Sequence, residues 1–470
     1  MPSQSRRLYL RSVALAATGV LAGCPGDGST ETGAPDTAPP TDATGTASTP
    51  VTTGGGPSRA ATPTEDPTAT PSATEAQTAT PDPTDTPEPR VGGGPGPQPD
   101  AAWPLPERSA ANGAYNPTGA AFEESPSVDG RVTATRPRGT EEYDPAFLHP
   151  VVADGRVYAV NALRYGPEQP APERQRLRAF DAASGEQLWA HDIVDETERV
   201  TVPTTPAVAD GVVSVAAGET LRAVDAADGS TVWTRSQSEI DAELMVPASD
   251  RTYVTGYETV AALDDAGEVT WTVSVDVDAS APPARGRDAL YVGTHDGRLV
   301  ALDPATGDRR WTERVTRVST EDWSVESVVT ADRGAFVRLD SGDVCAVDGN
   351  GSLVWRAGGE YTSLAGDGTR LYCGTHTGWL RALDAATGDV DWEVELGNVV
   401  DSLTESPVVT GDLLYATVDD DRLAAVRTDD GTELWRLQVR FSNLALGGDA
   451  LFGTRRADAY DTPGELLALR

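Results

Sequence analysis

The sequence contains no lysine. All 37 of its basic residues are arginines, and they stand against 73 aspartates and glutamates, which gives a formal net charge of −36 over 470 residues. This balance argues against nucleic acid as a partner, because binding to phosphates requires basic patches. A strongly acidic surface keeps a protein hydrated in concentrated salt, where charge repulsion is screened within a few ångströms.

The absence of lysine resembles the composition of proteins from extreme halophiles, haloarchaea in particular. The alternative is an ordinary acidic secreted protein. Cysteine is also scarce, since only Cys24, Cys345 and Cys373 are present. Three cysteines cannot form a disulfide framework, so the hydrophobic core must hold the fold together. Cys345 and Cys373 occupy non-equivalent positions in neighbouring repeats, which favours two buried free thiols over a disulfide.

The N-terminus has the order of an export signal. Arg6 and Arg7 are followed by apolar residues, as in the twin-arginine signal, and the apolar run over 13–22 is too short to span a bilayer comfortably. The run ends in Leu-Ala-Gly-Cys24, which resembles a lipobox, where the cysteine takes a lipid and the preceding peptide is removed. We therefore predict a twin-arginine lipoprotein signal peptide at 1–23. The alternative is that Cys24 is an incidental residue of a signal peptide.

Residues 24–102 combine the lipidated cysteine with a Thr/Pro-rich linker that contains almost no large apolar side chains. Such a segment cannot offset the entropy of ordering by burial, so the composition predicts a disordered, extended spacer. Ser/Thr/Pro stalks are often O-glycosylated, but nothing in this sequence decides that point. The folded domain is predicted at 103–470.

That domain is built from a repeat of the form Ala-x-Asp-x-x-Thr-Gly-x-x-x-Trp. Its first residues are spaced 36 to 45 positions apart, the period of one four-stranded propeller blade. A hairpin with a polar glycine turn precedes each copy. Seven copies reach their tryptophan, and an eighth begins at Ala468 and is cut off at Arg470. The copies start at Ala179, Ala223, Ala262, Ala301, Ala346, Ala382, Ala425 and Ala468.

The motif resembles the tryptophan-docking repeat of pyrroloquinoline-quinone (PQQ) dehydrogenase propellers and of the related BamB-type lipoproteins. The resemblance implies an all-β, eight-bladed propeller in which each tryptophan packs on the glycine turn of the neighbouring blade. The implied docking tryptophans are Trp189, Trp233, Trp271, Trp311, Trp355, Trp392 and Trp435. The implied glycine partners are Gly185, Gly229, Gly267, Gly307, Gly351, Gly388 and Gly431.

The truncated eighth copy needs an outer strand from elsewhere in the chain. Residues 128–136 precede the first hairpin and alternate as a strand does, so we predict that this N-terminal strand closes the last blade and removes its open edge. The closing strand lacks the expected tryptophan, which makes the seam between blades 8 and 1 different from the others. Seven blades is the alternative.

The sequence predicts no catalytic residue, no metal site and no cofactor. The rival interpretation, a quinone-dependent dehydrogenase, would need PQQ with Ca²⁺, and many enzymes of that family also have a disulfide between adjacent cysteines. No two cysteines are adjacent here, and no haem motif is present. His295 and His376 share one turn position in two blades and are interpreted as turn residues rather than metal ligands. Asn350 lies in an N-glycosylation sequon that the turn alone also explains.

Two middle hairpins are longer than the others, one in blade 1 and one in blade 8. Closure would make these blades neighbours, so their loops would meet on one face of an acidic body. Tyr and Arg are favoured in recognition surfaces, and the loops supply six such residues as a possible partner surface. The alternative is two tolerated insertions. The six residues are Arg164, Tyr165, Arg174, Arg455, Arg456 and Tyr460. Trp323 and Trp379, outside the docking series, are expected to pack in the core or between blades.

We expect an exported, monomeric propeller, anchored by a lipid on Cys24 to the outer face of the cytoplasmic membrane. Its expected role is that of a non-catalytic scaffold for other cell-envelope or membrane proteins. A quinone-dependent oxidoreductase and a glycan- or ligand-binding surface protein are the alternatives. BamB-type lipoproteins assist outer-membrane assembly, but a haloarchaeon has no outer membrane, so that specific role is not carried over.

Overall fold

The repeat folds copy by copy into antiparallel sheets. A computed structural model describes residues 119, 121–133, 144–164, 175–194, 204–237, 244–248, 251–316, 323–331, 334–397, 405–418, 422–455 and 464–470. These residues form eight blades arranged in a ring, as predicted for an all-β, eight-bladed propeller. Within the described ranges, no helix is long and apolar enough to cross a membrane.

Blades 1 to 4 follow one another along the chain. Blade 1 has five strands, because two short strands pair with the same neighbour: β2 (Asp144–Phe147), β3 (Val151–Ala153), β4 (Arg156–Arg164), β5 (Arg176–Asp181) and β6 (Gln187–Asp192). Blade 2 contains β7 (Ala207–Ala209), β8 (Val212–Ala217), β9 (Thr220–Asp225) and β10 (Thr231–Ser236). Blade 3 contains β11 (Leu244–Ala248), β12 (Arg251–Thr255), β13 (Thr259–Leu263) and β14 (Val269–Ser274). Blade 4 contains β15 (Ala284–Arg285), β16 (Leu290–Gly293), β17 (Arg298–Leu302) and β18 (Arg309–Arg314).

Blades 5 to 7 continue in the same order, and blade 8 joins the two ends of the domain. Blade 5 contains β19 (Val325–Ala331), β20 (Gly334–Leu339), β21 (Asp343–Asp348) and β22 (Leu353–Gly358). Blade 6 contains β23 (Ala365–Gly366), β24 (Arg370–Gly374), β25 (Trp379–Asp384) and β26 (Val390–Glu395). Blade 7 contains β27 (Val408–Thr410), β28 (Leu413–Val418), β29 (Arg422–Arg427) and β30 (Glu433–Gln438). Blade 8 contains β31 (Ser442–Gly447), β32 (Ala450–Arg455), β33 (Glu465–Leu469) and β1 (Val128–Thr133).

Burial explains why the strands of one blade differ in composition. The middle strands are covered by neighbouring blades on both faces, so β9 is a continuous buried run from Thr220 to Val224. The outer strand β10 has mostly exposed or half-buried residues around one buried side chain, Trp233. The core therefore lies between the blades, and the tryptophan is the main apolar contribution of each outer strand to it.

The Asp-x-x-Thr-Gly segment forms the tight turn between the third and fourth strands. In blade 6, the Oδ1 atom of Asp384 accepts hydrogen bonds from the backbone N–H groups of Ala386 (2.9 Å) and Thr387 (2.8 Å). Blade 7 has Arg427 at the aspartate position and keeps the same turn. There, Asp430 accepts the N–H of Thr432 at 2.9 Å instead.

The ring closes as predicted, through the N-terminal strand. The strand β1 pairs antiparallel with β33, with Arg131 opposite Leu467 and Val132 opposite Leu466. The backbone groups of Ser127 and Arg470 extend the pairing through two hydrogen bonds of 2.9 and 3.1 Å. The innermost strands β3 and β31 also pack together, so blades 8 and 1 are neighbours.

A chain that begins at residue 134 should lose this closure. Its strand β33, in which all five residues are buried, would present an unpaired apolar edge, and such edges recruit other chains. We expect aggregation and a lower thermal midpoint, measured by light scattering and circular dichroism. A chain that begins at residue 119 keeps β1 and serves as the control. An unchanged midpoint in a monomeric chain without β1 would show that closure does not depend on this strand.

Candidate functional site

Seven blade seams contain a motif tryptophan, and six of these tryptophans share one setting. Six of the indoles lie on the glycine turn of the next blade, so closely that a Cβ on that glycine would come within 2.6–3.0 Å of the ring. A Tyr or Phe ring from the same blade lies 5.8–6.1 Å from six of the seven tryptophans. The six indole–glycine pairs are Trp189–Gly229, Trp233–Gly267, Trp271–Gly307, Trp311–Gly351, Trp355–Gly388 and Trp392–Gly431.

The indole N–H has a constant partner. It donates to the backbone carbonyl of the residue after the motif aspartate, or after its replacement, in the next blade, at 2.9–3.1 Å in five seams. In blade 6, for example, Trp392 donates to Thr428, which follows Arg427. The motif residues therefore build turns and seams, which leaves few of them free for chemistry.

Trp435 and Gly185 depart from the implied pairing. Trp435 donates to the carbonyl of Phe122, in the segment that leads into β1, at 2.7 Å. Gly185 has the turn conformation of the other glycines, with φ of +73°, but no atom lies within 4 Å of where its Cβ would be. Its role as a docking partner is therefore corrected, because the strand that faces it has no tryptophan.

Gly130 occupies the position of the missing tryptophan. It lies opposite Ala468 in the β1–β33 pairing, as Trp392 lies opposite Ala382 in β25–β26, and both pairings have a register shift beside this position. Phe452 of blade 8 lies opposite Ala468 on the other side, where other blades place the ring that contacts the tryptophan. A cavity of about 50 Å³ remains between Gly130, Phe452 and the turn of blade 1.

The C-terminal residue makes the hydrogen bond that a tryptophan makes elsewhere. The guanidinium of Arg470 donates to the carbonyl of Ala182, the residue after the motif aspartate of blade 1. It also pairs with Asp129 at 2.7 Å and with Asp449 at 3.4 Å. The sequence analysis did not assign these roles to Gly130 or Arg470. Aligning Val128-Asp129-Gly130 with Val390-Asp391-Trp392 would have shown that Gly130 stands where the tryptophan is missing.

The opposite end of the same seam carries a carboxylate between two arginines. Glu465, which is 8% exposed, pairs with Arg131 at 3.3 Å and with Arg455. Arg455 ends β32 and Glu465 begins β33, so this cluster lies at the base of the long blade 8 hairpin. The carboxylate is buried, whereas the side chains of Arg131 and Arg455 are 48% and 32% exposed, so removing either arginine would reduce the compensation of a buried charge.

The predicted partner surface is only partly described. Arg164 ends β4 and Arg455 ends β32, and these strands belong to adjacent blades. Tyr165, Arg174, Arg456 and Tyr460 lie outside the described residues, so their grouping stays a prediction. The same holds for Cys24, Arg6 and Arg7.

The structure also locates the other residues that the sequence analysis singled out. His295 and His376 lie in the middle-hairpin turns of blades 4 and 6, and Asn350 is exposed in the outer turn of blade 5. Trp323 is 38% exposed, which corrects its expected packing in the core. Trp379 begins β25 and is half-buried.

The two thiols behave as the sequence predicted. Cys345 and Cys373 are free and fully buried, and burial raises the pKa of Cys373 to about 12. Such a thiol is a poor nucleophile at neutral pH. Over the described ranges, no group of three or more His, Cys, Asp or Glu side chains is placed to hold a metal ion.

Buried tyrosines predict a loss of stability in alkali. Burial raises the pKa of Tyr158 and of Tyr291 to about 12, and it also raises the pKa values of Tyr372 and Tyr415. Because these phenols keep their protons longer in the native state than in the unfolded chain, stability is full below pH ~10 and falls from there towards pH ~12.

Between pH 8 and pH 11, the free energy of unfolding should fall by about 1 kcal/mol less in the Tyr291→Phe variant than in the wild type. The reason is that the variant lacks one phenol with a raised pKa. Urea unfolding at the two pH values measures this difference, and absorbance at 295 nm reports phenolate formation. Equal losses in the two proteins would contradict the prediction.

Comparisons with known proteins agree with this architecture. The family model described as outer membrane protein assembly factor BamB matches residues 126–239, 217–363 and 340–470. The BamB protein of Moranella endobia (strain PCIT) is 25% identical over 303 residues, which are 61% of this chain and 66% of that protein. The chain thus spans just under two thirds of the length of this curated relative.

Solved structures show the same fold at low identity. The quinohemoprotein alcohol dehydrogenase from Comamonas testosteroni superposes with a TM-score of 0.57 and 14% identity, over 78% of this chain and 80% of that chain. BamB from Moraxella catarrhalis superposes with a TM-score of 0.52 and 19% identity, over 74% of this chain and 98% of that chain. An enzyme and an assembly factor share this propeller, so the fold alone does not decide between their functions.

Proposed function

Because the chain belongs to the family of the outer membrane protein assembly factor BamB, we propose that it is a non-catalytic scaffold that binds or assembles other cell-envelope proteins. The observation that carries the proposal is the adjacency of blades 1 and 8, whose middle hairpins have the longest loops. The strands that flank these loops, β4 with β5 and β32 with β33, are in neighbouring blades. Residues 165–175 and 456–464 connect them.

The composition of the two loops supports protein recognition. Arginine and tyrosine supply hydrogen-bond donors and apolar surface together, and both are enriched where proteins bind each other. Residues 164–174 and 455–463 together contain four arginines and four acidic residues, so the two loops are neutral on a chain of net charge −36 and repel an acidic partner segment less than the rest of the surface does. The proposed contact residues are Arg164, Tyr165, Arg174, Arg455, Arg456 and Tyr460.

Cross-linking in native membranes tests the scaffold role. We expect the wild type to capture defined partners, and the triple variant Arg164→Ser, Arg174→Ser, Arg456→Ser to lose at least one of them. The matched control removes the same charge from outer strands of other blades, through Arg309→Ser, Arg310→Ser and Arg436→Ser. Equal capture by all three proteins would remove the loops from the proposal.

The proposed location is the outer face of the cytoplasmic membrane, with a lipid on Cys24 as the anchor. The support is the order of basic start, apolar run and Leu-Ala-Gly-Cys in the sequence. A Cys24→Ala variant should leave the membrane fraction and lack the mass of the lipid, and Arg6→Lys with Arg7→Lys should block export. A Cys24→Ala protein that stays with the membrane would contradict lipid anchoring at this residue.

The rival proposal, a PQQ-dependent oxidoreductase, has less support. The described residues offer no group of three acidic, His or Cys side chains for Ca²⁺, and the sequence has no adjacent cysteines. The test is dye-linked oxidation of alcohols or sugars after addition of PQQ and Ca²⁺. Turnover above a boiled-protein control would replace the scaffold proposal with an enzymatic one.

A further inference from the structure

The seam between blades 8 and 1 keeps the frame of a docking site without its tryptophan. The turn of blade 1 has the same positive-φ glycine, Gly185, as the turns that carry an indole elsewhere. Phe452 takes the place of the Tyr or Phe that contacts the indole in other blades, and Gly130 stands where the tryptophan would be. Ala182 offers the acceptor carbonyl. All parts except the indole are therefore present.

The residues of this incomplete docking site surround a cavity. This cavity of about 50 Å³ has room for roughly one or two water molecules, and the guanidinium of Arg470 takes the place beside the Ala182 carbonyl that an indole takes elsewhere. The space for an indole is the cavity together with the place of that guanidinium. Phe180 replaces the smaller aliphatic residue of the other blades and fills part of the floor, and its side chain is 2% exposed. A Cβ on Gly185 would meet nothing within 4 Å, so the face of the turn is open.

We propose that this cavity binds one tryptophan side chain presented by a partner protein. The ligand class follows from the chain itself, since six turns of the same form each carry an indole. A flat ring would cover the open turn and contact Phe452, and its N–H would replace the guanidinium of Arg470 as the donor to the carbonyl of Ala182. The inference rests on the proposed partner-binding role only for the source of the tryptophan.

The charges at the rim of the cavity indicate which residues should flank the tryptophan in the partner sequence. Asp129 and Asp449 lie at the rim with side chains 57% and 85% exposed, and Asp181 and Ser184 line the turn. Arg470 and Arg131 are the arginines that line the cavity, and Arg131 is paired with Glu465, so the carboxylates outnumber the arginines. Charge complementarity therefore favours a tryptophan that has arginine beside it in the partner sequence.

This site is distinct from the loop surface of blades 1 and 8. The cavity lies by the turn that follows β5, whereas the long loops leave the opposite ends of the strands, at Arg164 and Arg455. A partner that used both surfaces would contact both faces of the same seam, and each contact can be removed separately.

The test uses the peptide acetyl-Arg-Trp-Arg-amide and its matched control acetyl-Arg-Ala-Arg-amide. Saturation-transfer NMR on the full chain should show binding of the first, with Kd on the order of 1 mM, and at least tenfold weaker binding of the second. Gly130→Trp should fill the cavity, reduce peptide binding at least tenfold and raise the thermal midpoint by about 2 °C or more. Gly130→Ala should still bind.

Three results would overturn the inference. The first is no binding by the wild type, and the second is equal binding by the wild type and Gly130→Trp. The third is binding only after replacement of Trp103, a tryptophan that lies outside the described residues, with alanine, because the chain would then fill its own cavity. If Gly130→Trp does not fold, Gly130→Leu fills the cavity with a smaller, flexible side chain and should also weaken binding. Loss of cross-linked partners in the loop variant with intact peptide binding would separate this site from the scaffold proposal.

Discussion

Replacing Trp392 with alanine should lower the free energy of unfolding by about 3–5 kcal/mol, a typical cost of truncating a buried tryptophan. The indole is 9% exposed, it lies on Gly431 of blade 7, and its ring centre is 5.9 Å from that of Tyr372. Truncation opens a cavity in the seam and also leaves the carbonyl of Thr428 without the N–H that it accepts at 2.9 Å.

The matched control is Trp323→Ala, which removes the same side chain from a position that is 38% exposed and lies outside the repeat motif. We expect it to cost less than half as much. Chemical unfolding in concentrated NaCl, followed by circular dichroism, measures both variants under the same screening of the acidic surface. Similar costs at the two positions would show that the docking geometry adds nothing to tryptophan burial.

The ring architecture was predictable because the same local signals recur in every blade. The repeat period, the glycine turns and the tryptophans indicate the same blade structure in seven copies. Such agreement between independent signals allows a fold to be predicted from sequence. The closing strand could also be predicted, since residues 128–136 alternate as a strand does and the open edge of a blade needs a partner.

The exceptions at the seam could not be derived in the same way. The partner of Trp435 is the backbone carbonyl of Phe122, 313 residues away, and a carbonyl leaves no mark in the sequence. The role of Gly130 depends on the register of β1 against β33, and the two residues Val128-Asp129 are a weaker marker of that register than the tryptophan that the other outer strands provide. The hydrogen bond from Arg470 follows from that register.

The arrangement of side chains on the proposed partner surface could not be predicted for a different reason. Adjacency of blades 1 and 8 follows from closure and was predicted, whereas the side chains of the loops are set by loop conformations that no repeat dictates. Their function stays a prediction for the cross-linking experiment. The seam itself has a cavity beside the turn of blade 1 and the Glu465 cluster at the base of the long blade 8 hairpin.

Replacing Gly431 with alanine should destabilise the protein by about 2–4 kcal/mol, for two separable reasons. The residue has φ of +75°, where an L-residue costs about 1–2 kcal/mol, and its new Cβ would lie 2.6 Å from the ring of Trp392, which must then shift. Gly185→Ala isolates the first reason, because Gly185 has φ of +73° and no atom within 4 Å of its Cβ position.

The difference between the two variants therefore measures the close approach of the indole alone, at about 1–3 kcal/mol. Urea unfolding of the two variants and the wild type supplies the numbers, and near-ultraviolet circular dichroism reports whether the indole has moved. In a Trp392→Ala background, Gly431→Ala should lower the free energy of unfolding by no more than Gly185→Ala does. No indole is then left for the new Cβ to clash with. If the full cost of Gly431→Ala persisted there, the backbone conformation rather than the docked tryptophan would explain why this turn requires glycine.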